Sequence, residues 1–567
     1  MEMNQNTGWT KYPRPQMKRD SYMMLNDGWR LNGDVIRVPF PPESEWSEYK
    51  GELSETLHYE KKFCVPESYQ GGRILLHFGA VDQKARVCLN GIELGENEGG
   101  YLPFSFDITD YVKWDEENLL EVLAKDDLSP DYPYGKQSKN PQGMWYTPVS
   151  GIWQSVWLEH VPENYIKRLL IEPELDRVKV KLEYNAPLQE PAGKREPFDE
   201  GAVGKGFEVK IELPDGRVQI EEFGSTEGMI RIENPVNWTP DKPYLYNMKI
   251  KAGEDTVESY FALRTIRIWE IDGILRVCLN NEPVFFHGVL DQGYFPQGIY
   301  LPESEEGYEK DILAMKELGY NMLRKHIKIE PDYFYYACDR LGMLVMQDMV
   351  NSGEYSFLRD TALPTVGLKR TIEKKLSKDT LRRQIFEEQT RRTIEHLYNH
   401  PCIVAYTIFN EGWGQFDSDE MYDLVKALDD TRLVDSTSGW FAQKKNDFHS
   451  EHIYFRLKKL KVRKRPLFVT ECGGYKLLVR GHFWGKEEYG YGSCADSDDL
   501  TARISEMYEK MILPAIKDGV CGCIYTQLSD VEGEINGLYT YDREVCKVNK
   551  EVMREIADKL YGQLSDC

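Results

Sequence analysis

The sequence predicts a multidomain protein whose N-terminal part is antiparallel β-sheet and whose C-terminal part is parallel α/β. Three observations carry this. The chain has 567 residues, too many for one hydrophobic core, so two to four domains are expected. From Asp27 to about residue 268, apolar residues recur with period two between turn signals, the pattern of half-buried strands. From about residue 269 onward, short apolar runs alternate with helical segments, the pattern of a parallel sheet with crossover helices.

Composition narrows the class. Hydrophobic residues make up 41% of the chain and aromatic residues 12%, enough for ample cores. A formal charge of −23 argues against nucleic acid and anionic membranes as partners. No stretch approaches the length of a membrane span. The start, Met1-Glu2-Met3-Asn4-Gln5-Asn6, lacks the apolar segment of a secretory signal. The 11 cysteines show no metal-ligand spacing, and Cys472, Cys521 and Cys523 read as small core residues. A reduced, cytoplasmic protein without metal or cofactor is expected, and a homo-oligomer is compatible with it.

The elements follow in order. Residues 1 to about 20 read as an N-terminal arm. Arg73–Gly79 is a strand, Ala85–Gly95 a hairpin turning at Asn90-Gly91, and Gly151–Glu159 an alternating strand, together a sandwich of jelly-roll type over residues 1–162. Its loop from Tyr132 to Ser150, rich in aromatic and amide side chains, is expected to reach toward the active site. Residues 163–268 form a second β domain, with alternation at Val178–Tyr184 and Phe207–Leu213. Asn185–Lys205, rich in proline, glycine and charge, is expected to be a flexible insertion. Residues 269–567 carry the βα repeats. Strands are expected at 284–289, 321–326, 343–348, 403–410, 433–438, 447–454, 467–470 and 521–527. Helices are expected at 305–318, 331–341, 380–398, 500–517 and 544–560.

Two of these strands end in a carboxylate followed by glycine: Phe409-Asn410-Glu411-Gly412 and Val469-Thr470-Glu471-Cys472-Gly473. A carboxylate at the C-terminal end of a buried strand is badly placed for packing and well placed for chemistry. Two of them on one rim suit a retaining glycosidase, in which one carboxyl attacks the sugar and the other supplies and then removes the proton. Here the chain resembles glycoside hydrolase family 2, which holds β-galactosidases, β-glucuronidases and β-mannosidases. The ending Gly151-Ile152-Trp153-Gln154 and the segment Trp238–Tyr246 are similar to that family's sugar-binding-like and immunoglobulin-like domains. The resemblance implies a jelly-roll, an immunoglobulin-like sandwich and a (β/α)₈ TIM barrel. It also implies Glu411 as acid/base, Glu471 as nucleophile, Asn410 on the sugar 2-hydroxyl and Tyr454 on the nucleophile.

Other polar residues at strand ends are candidates for sugar binding: Asp291, Arg324, His326, Asp348, His452 and Gln527, with Trp413 and Trp484 as candidate platforms. The expected function is a retaining exo-β-glycosidase acting on an oligosaccharide or glycoside, foremost a β-galactosidase. Arg324-Lys325-His326 departs from the Ser-His-Tyr-Pro of the best-known β-galactosidases. A β-glucuronidase is the alternative. Its Asn-x-Lys signature is not found around Lys547-Val548-Asn549-Lys550, which leaves Arg324 or Lys325 to hold a sugar carboxylate. Gln347-Asp348 keeps a β-mannosidase open. A catalytically inert carbohydrate-binding protein is the reading from another class, and the presence of both glutamates speaks against it.

Overall fold

The computed structural model describes residues 8–185, 206–365, 368, 373, 378–454 and 456–565. The expected flexible insertion, apart from Asn185, lies outside the described residues.

The chain forms two β-sandwiches and an eight-stranded parallel barrel. In the first sandwich a four-stranded sheet (Tyr22–Met24, Val156–Val161, Arg73–Phe78, Phe104–Asp107) faces a six-stranded one that includes Thr56–Phe63, Asn118–Lys125 and Lys84–Leu89. The inward positions of both sheets, among them Trp29, Leu76, Val87, Val122 and Leu158, make its core. The second sandwich pairs a three-stranded sheet with a four-stranded one around Val180, Ile211, Ile230 and Ile250.

The βα alternation begins at Phe286 rather than near residue 269. Ile266–Ile271 and Ile274–Leu279 form an antiparallel hairpin instead. Its turn is Asp272-Gly273, both with positive φ (51° and 79°), the conformation tight two-residue hairpins require. The hairpin packs Ile266, Val277 and Leu279 against the barrel residues Phe286, Leu344 and Val404.

The barrel strands are β1 (Phe286–Asp291), β2 (Met322–Lys325), β3 (Leu344–Asp348), β4 (Ile403–Asn410), β5 (Leu433–Ser438), β6 (His449–Ile453), β7 (Leu467–Gly473) and β8 (Val520–Thr526). Neighbouring strands run in the order 5-4-3-2-1-8-7-6, all parallel. The ring closes between β5 and β6, where Asp447 N donates to Val434 O (3.0 Å) and Val434 N to the Asp447 carboxylate (2.8 Å). Among the described residues the connections on either side of β6 carry no helix. Residues 456–465 read Arg-Leu-Lys-Lys-Leu-Lys-Val-Arg-Lys-Arg, and like charges at helical spacing repel. No described helix is long and apolar enough to cross a membrane.

Candidate active site

Eight of the predicted residues converge at the C-terminal ends of the strands: Glu411, Glu471, Tyr454, His452, Arg324, Asn410, Asp348 and His326. Glu411 follows β4 in a left-handed backbone conformation, φ 53°, which a glutamate rarely adopts. The surroundings impose it: Glu411 N donates to Ser438 O (3.0 Å), and Trp440 Nε1 donates to Glu411 O (3.0 Å). Gly412 continues with φ 76°, and a Cβ there would sit 2.1 Å from the Phe441 ring. Backbone and space together thus require the glycine at position 412.

Glu471 lies within β7. Its Oε2 accepts from the Tyr454 hydroxyl at 2.6 Å, and its Oε1 accepts from Arg324 at 3.0 Å. The same Tyr454 hydroxyl stands 3.2 Å from Glu411 Oε1. One phenol touching both carboxylates caps the separation of those two oxygens at about 6 Å, within the retaining rather than the inverting range. Both side chains remain reachable by solvent, 13% exposed for Glu411 and 7% for Glu471. Burial pushes the Glu471 carboxyl up. His452, the Arg324 guanidinium, His326 and the Tyr454 hydroxyl outweigh it and hold the group down at about 2. His452, on β6, places Nδ1 2.7 Å from Glu411 Oε1 and Nε2 3.7 Å from Glu471 Oε1.

Arg324 ties the rim together and is spent in doing so. Its donors go to Asp348 Oδ1 (3.0 Å), Thr470 O (3.0 Å), Glu471 and Asn410 Oδ1 (2.9 Å). With 0% exposure it has no reach to a ligand. Asn410 therefore keeps its Nδ2 for a ligand while its oxygen is occupied. His326 pairs with Asp348 at 2.7 Å.

Several expectations need correction. Neither Arg324 nor Lys325 is free for a sugar carboxylate, because buried Lys325 is held by Asp291 (2.7 Å) and Glu330 (2.8 Å). Asp291 is consumed by that pair and by the Gly293 amide (2.9 Å), so it serves the structure beneath the site. Trp413 is 3% exposed; its indole donates to Gly353 O (2.7 Å) and its ring is packed by Tyr134, Trp145 and Tyr355, so no face is left for a sugar. Trp484 is 43% exposed but stands edge-on to Tyr541, with no described contact to either carboxylate. Gln527 is buried and donates to Asn536 (2.9 Å). Lys547 is likewise buried, on Asp530 and two carbonyls.

The loop from Tyr132 to Ser150 does reach the barrel rim. Besides its contacts to Trp413, Tyr134 donates to Gly353 O (2.9 Å), Thr147 N to Glu532 (2.9 Å), and Tyr146 to buried Glu534. It brings Lys136, whose ammonium lies 5.7 Å from the Trp145 ring centroid and whose charge acts on His326 and Glu534. Sequence reasoning missed Lys136, Ser438, Trp440 and Tyr491, the last stacked on Tyr454 at 4.3 Å. Ser438-Gly439-Trp440, a polar residue and glycine closing β5, repeats the signal that exposed Glu411. Among the described residues one trio of metal-ligand type, His58, Glu60 and Glu121, gathers on the six-stranded sheet rather than at this rim.

Comparison with known proteins agrees with this layout. Residues 39–162 match the glycosyl hydrolases family 2 sugar binding domain, 164–264 the family 2 domain that follows it, and 272–466 the family 2 TIM barrel domain. The last match includes Glu411 and ends before Glu471. A β-galactosidase of Thermoanaerobacter pseudethanolicus is 27% identical over 449 residues, 76% of this chain and 54% of that protein. One of Leuconostoc mesenteroides is 24% identical over 453 residues, 76% of this chain and 40% of that protein. The chain thus spans about half the length of these relatives, or less. A β-D-glucuronidase structure from Dictyoglomus thermophilum superposes with a TM-score of 0.72 at 18% identity, covering 97% of this chain and 98% of that one. A Ruminococcus gnavus β-glucuronidase gives 0.75 at 17% identity, covering 96% and 98%. These structural likenesses speak to the fold. With three consecutive domain matches over both sandwiches and most of the barrel, the chain belongs to glycosyl hydrolase family 2.

Proposed function

We propose that the protein is a retaining exo-β-glycosidase. The observation that carries this reading is the Tyr454 hydroxyl lying within hydrogen-bond reach of both Glu411 and Glu471, a spacing suited to direct attack by one carboxylate. Glu471, held ionised by Arg324 and Tyr454, attacks the anomeric carbon. The glycosidic C–O bond breaks as Glu411 gives its proton to the departing oxygen. Water then attacks the same carbon and yields a proton to Glu411, and the bond to Glu471 breaks. Asn410 Nδ2 orients the sugar 2-hydroxyl.

The β-galactosidase names of the sequence relatives support a terminal β-galactosyl substrate. A specific observation favours a second reading, a uronide. Arg324, Lys325 and Lys547 are all consumed, while Lys136 has no carboxylate within ion-pair distance among the described residues and faces the rim from the N-terminal domain. An ammonium so placed complements a sugar carboxylate.

A panel of nitrophenyl β-galactoside, β-glucuronide and β-mannoside tests both, with the anomer of the first-formed product read by NMR. Retention is expected, and inversion would contradict the mechanism. If the substrate is a uronide, Lys136→Met should lower the uronide-to-galactoside ratio of kcat/KM by roughly 10–100-fold, the worth of a charge-assisted hydrogen bond. An unchanged ratio removes that reading.

A further inference from the structure

We propose that the acid/base is not Glu411 alone but a Glu411–His452 pair that shares one proton, with His452 as the positioning partner. This rests on the retaining reading above. The pairing is geometric. Nδ1 and Oε1 stand 2.7 Å apart, a distance that demands a hydrogen between them, since two facing lone pairs repel. The other side of the ring says whose hydrogen it is. The Ser438 hydroxyl donates to Thr470 Oγ1 (2.9 Å), so toward His452 Nε2, at 3.0 Å, it offers a lone pair. Nε2 therefore carries a hydrogen, and the one between Nδ1 and Oε1 is shared: on the carboxyl it leaves a neutral imidazole with Nδ1 as acceptor, and on the ring it makes the imidazolium whose charge acts on Glu471. The proton on the Nδ1–Oε1 line is then the one that acid catalysis delivers.

The ring is locked in this role. Gly439, with φ 90°, lies against it so closely that a Cβ would come within 2.8 Å of its atoms. Trp440 packs edge-on at 5.4 Å between centroids. The imidazole itself is 0% exposed, whereas Glu411 is 13% exposed, so protons enter and leave the pair through the carboxyl. That carboxyl turns readily about its last bond, which carries the protonated oxygen from Nδ1 to the glycosidic oxygen. The charged and titratable groups facing the pair are Glu471 (3.7 Å from Nε2), Tyr454 (3.3 Å from Nδ1), Asp435 on β5 and, on the Glu411 side, Tyr355, Tyr489 and Tyr491. Forming the glycosyl bond turns Glu471 into an uncharged ester, and after the proton has gone to the leaving group the pair stays empty until water supplies the next one.

The test is His452→Asn, which keeps a polar group near the Nδ1 position but cannot titrate. Two readouts are needed that packing alone would not move. The basic limb of kcat/KM should fall by about one pH unit, the worth of a neutral hydrogen bond. Loss of rate should depend on the leaving group, roughly 10–100-fold for an alkyl or phenyl glycoside and about threefold or less for a dinitrophenyl glycoside, which departs without protonation. Ser438→Ala, which frees Nε2 to lose its hydrogen, should shift the limb in the same direction by less, and it guards against misfolding of the first variant. Equal losses for all leaving groups with an unmoved limb in both variants would overturn the pair. If azide fails to rescue Glu411→Ala, the assignment of Glu411 itself has failed, which is a separate result.

Discussion

Removing one oxygen from Tyr454 should move the acid limb of the pH profile upward. The hydroxyl donates to Glu471 Oε2 at 2.6 Å, and its ring stacks on Tyr491 at 22° between planes, so Tyr454→Phe keeps the packing and deletes only the donor. A hydrogen bond to a charged acceptor contributes about 1.5–3 kcal/mol. At about 1.4 kcal/mol per pH unit, its loss weakens the anion by roughly one to two units. Glu471 is held at about 2 in the intact site, so the variant's limb should appear near pH 3–4 (about). The assay is kcat/KM on a dinitrophenyl glycoside across the acid range, where loss of the proton donor does not intrude because the leaving group needs none. A limb that stays put would mean that Tyr454 does not hold the nucleophile. A limb that moves to lower pH would mean that the group it reports is not the attacking carboxylate.

Three further perturbations follow from the same contacts. Gly412→Ala would force an L-residue to φ 76° and bring its Cβ 2.1 Å from Phe441; a cost of about 1–3 kcal/mol should appear as a lower thermal midpoint together with lost activity, since Glu411 is its neighbour. Arg324→Met leaves Asp348 and Glu471 buried without their cation and should destabilise by about 3–5 kcal/mol in chemical denaturation; a drop below 1 kcal/mol (about) would contradict the hub role. Glu471 has a folded pKa below its unfolded value, so its contribution to stability is present above about pH 4.3 and is lost as pH falls toward 2. Glu471→Gln should therefore flatten the acid loss of stability, and an identical pH dependence in both proteins would count against the depressed carboxyl.

Much of the site could be read from strand ends. Glu411 and Glu471 stood out because a carboxylate followed by glycine interrupts an apolar run, and a side chain that cannot pack inward must face the rim. The same logic failed for Arg324, Lys325 and Asp291. Spacing shows that a charged residue ends a strand, but not whether its charge is already balanced by Asp348, Glu330 or a carbonyl across the barrel. The sequence offers Trp413 as a platform, but exposure of an aromatic ring depends on what covers it, and the cover comes from Tyr134 and Trp145, far away in the chain. Lys136 lies in the Tyr132–Ser150 loop that the sequence does send toward the active site, but the loop's signal is its aromatic and amide side chains, and nothing local singles out this lysine. The antiparallel hairpin before the barrel carried a legible Asp272-Gly273 turn, yet its two strands sit at the change between β and βα texture and were absorbed into the latter. The helix-free link after β6 follows from its dense positive charge.

The most direct test of the central claim compares Glu411→Ala with Glu471→Ala in the presence of azide. With a dinitrophenyl β-glycoside of the preferred sugar, Glu411→Ala should still glycosylate Glu471 and then stall, because no base activates water. Azide needs no base, so it should restore turnover and release the β-glycosyl azide. Glu471→Ala lacks the attacking group and should give no β-azide. A β-azide from Glu471→Ala, with Glu411→Ala left dead, would reverse the two roles and contradict the account.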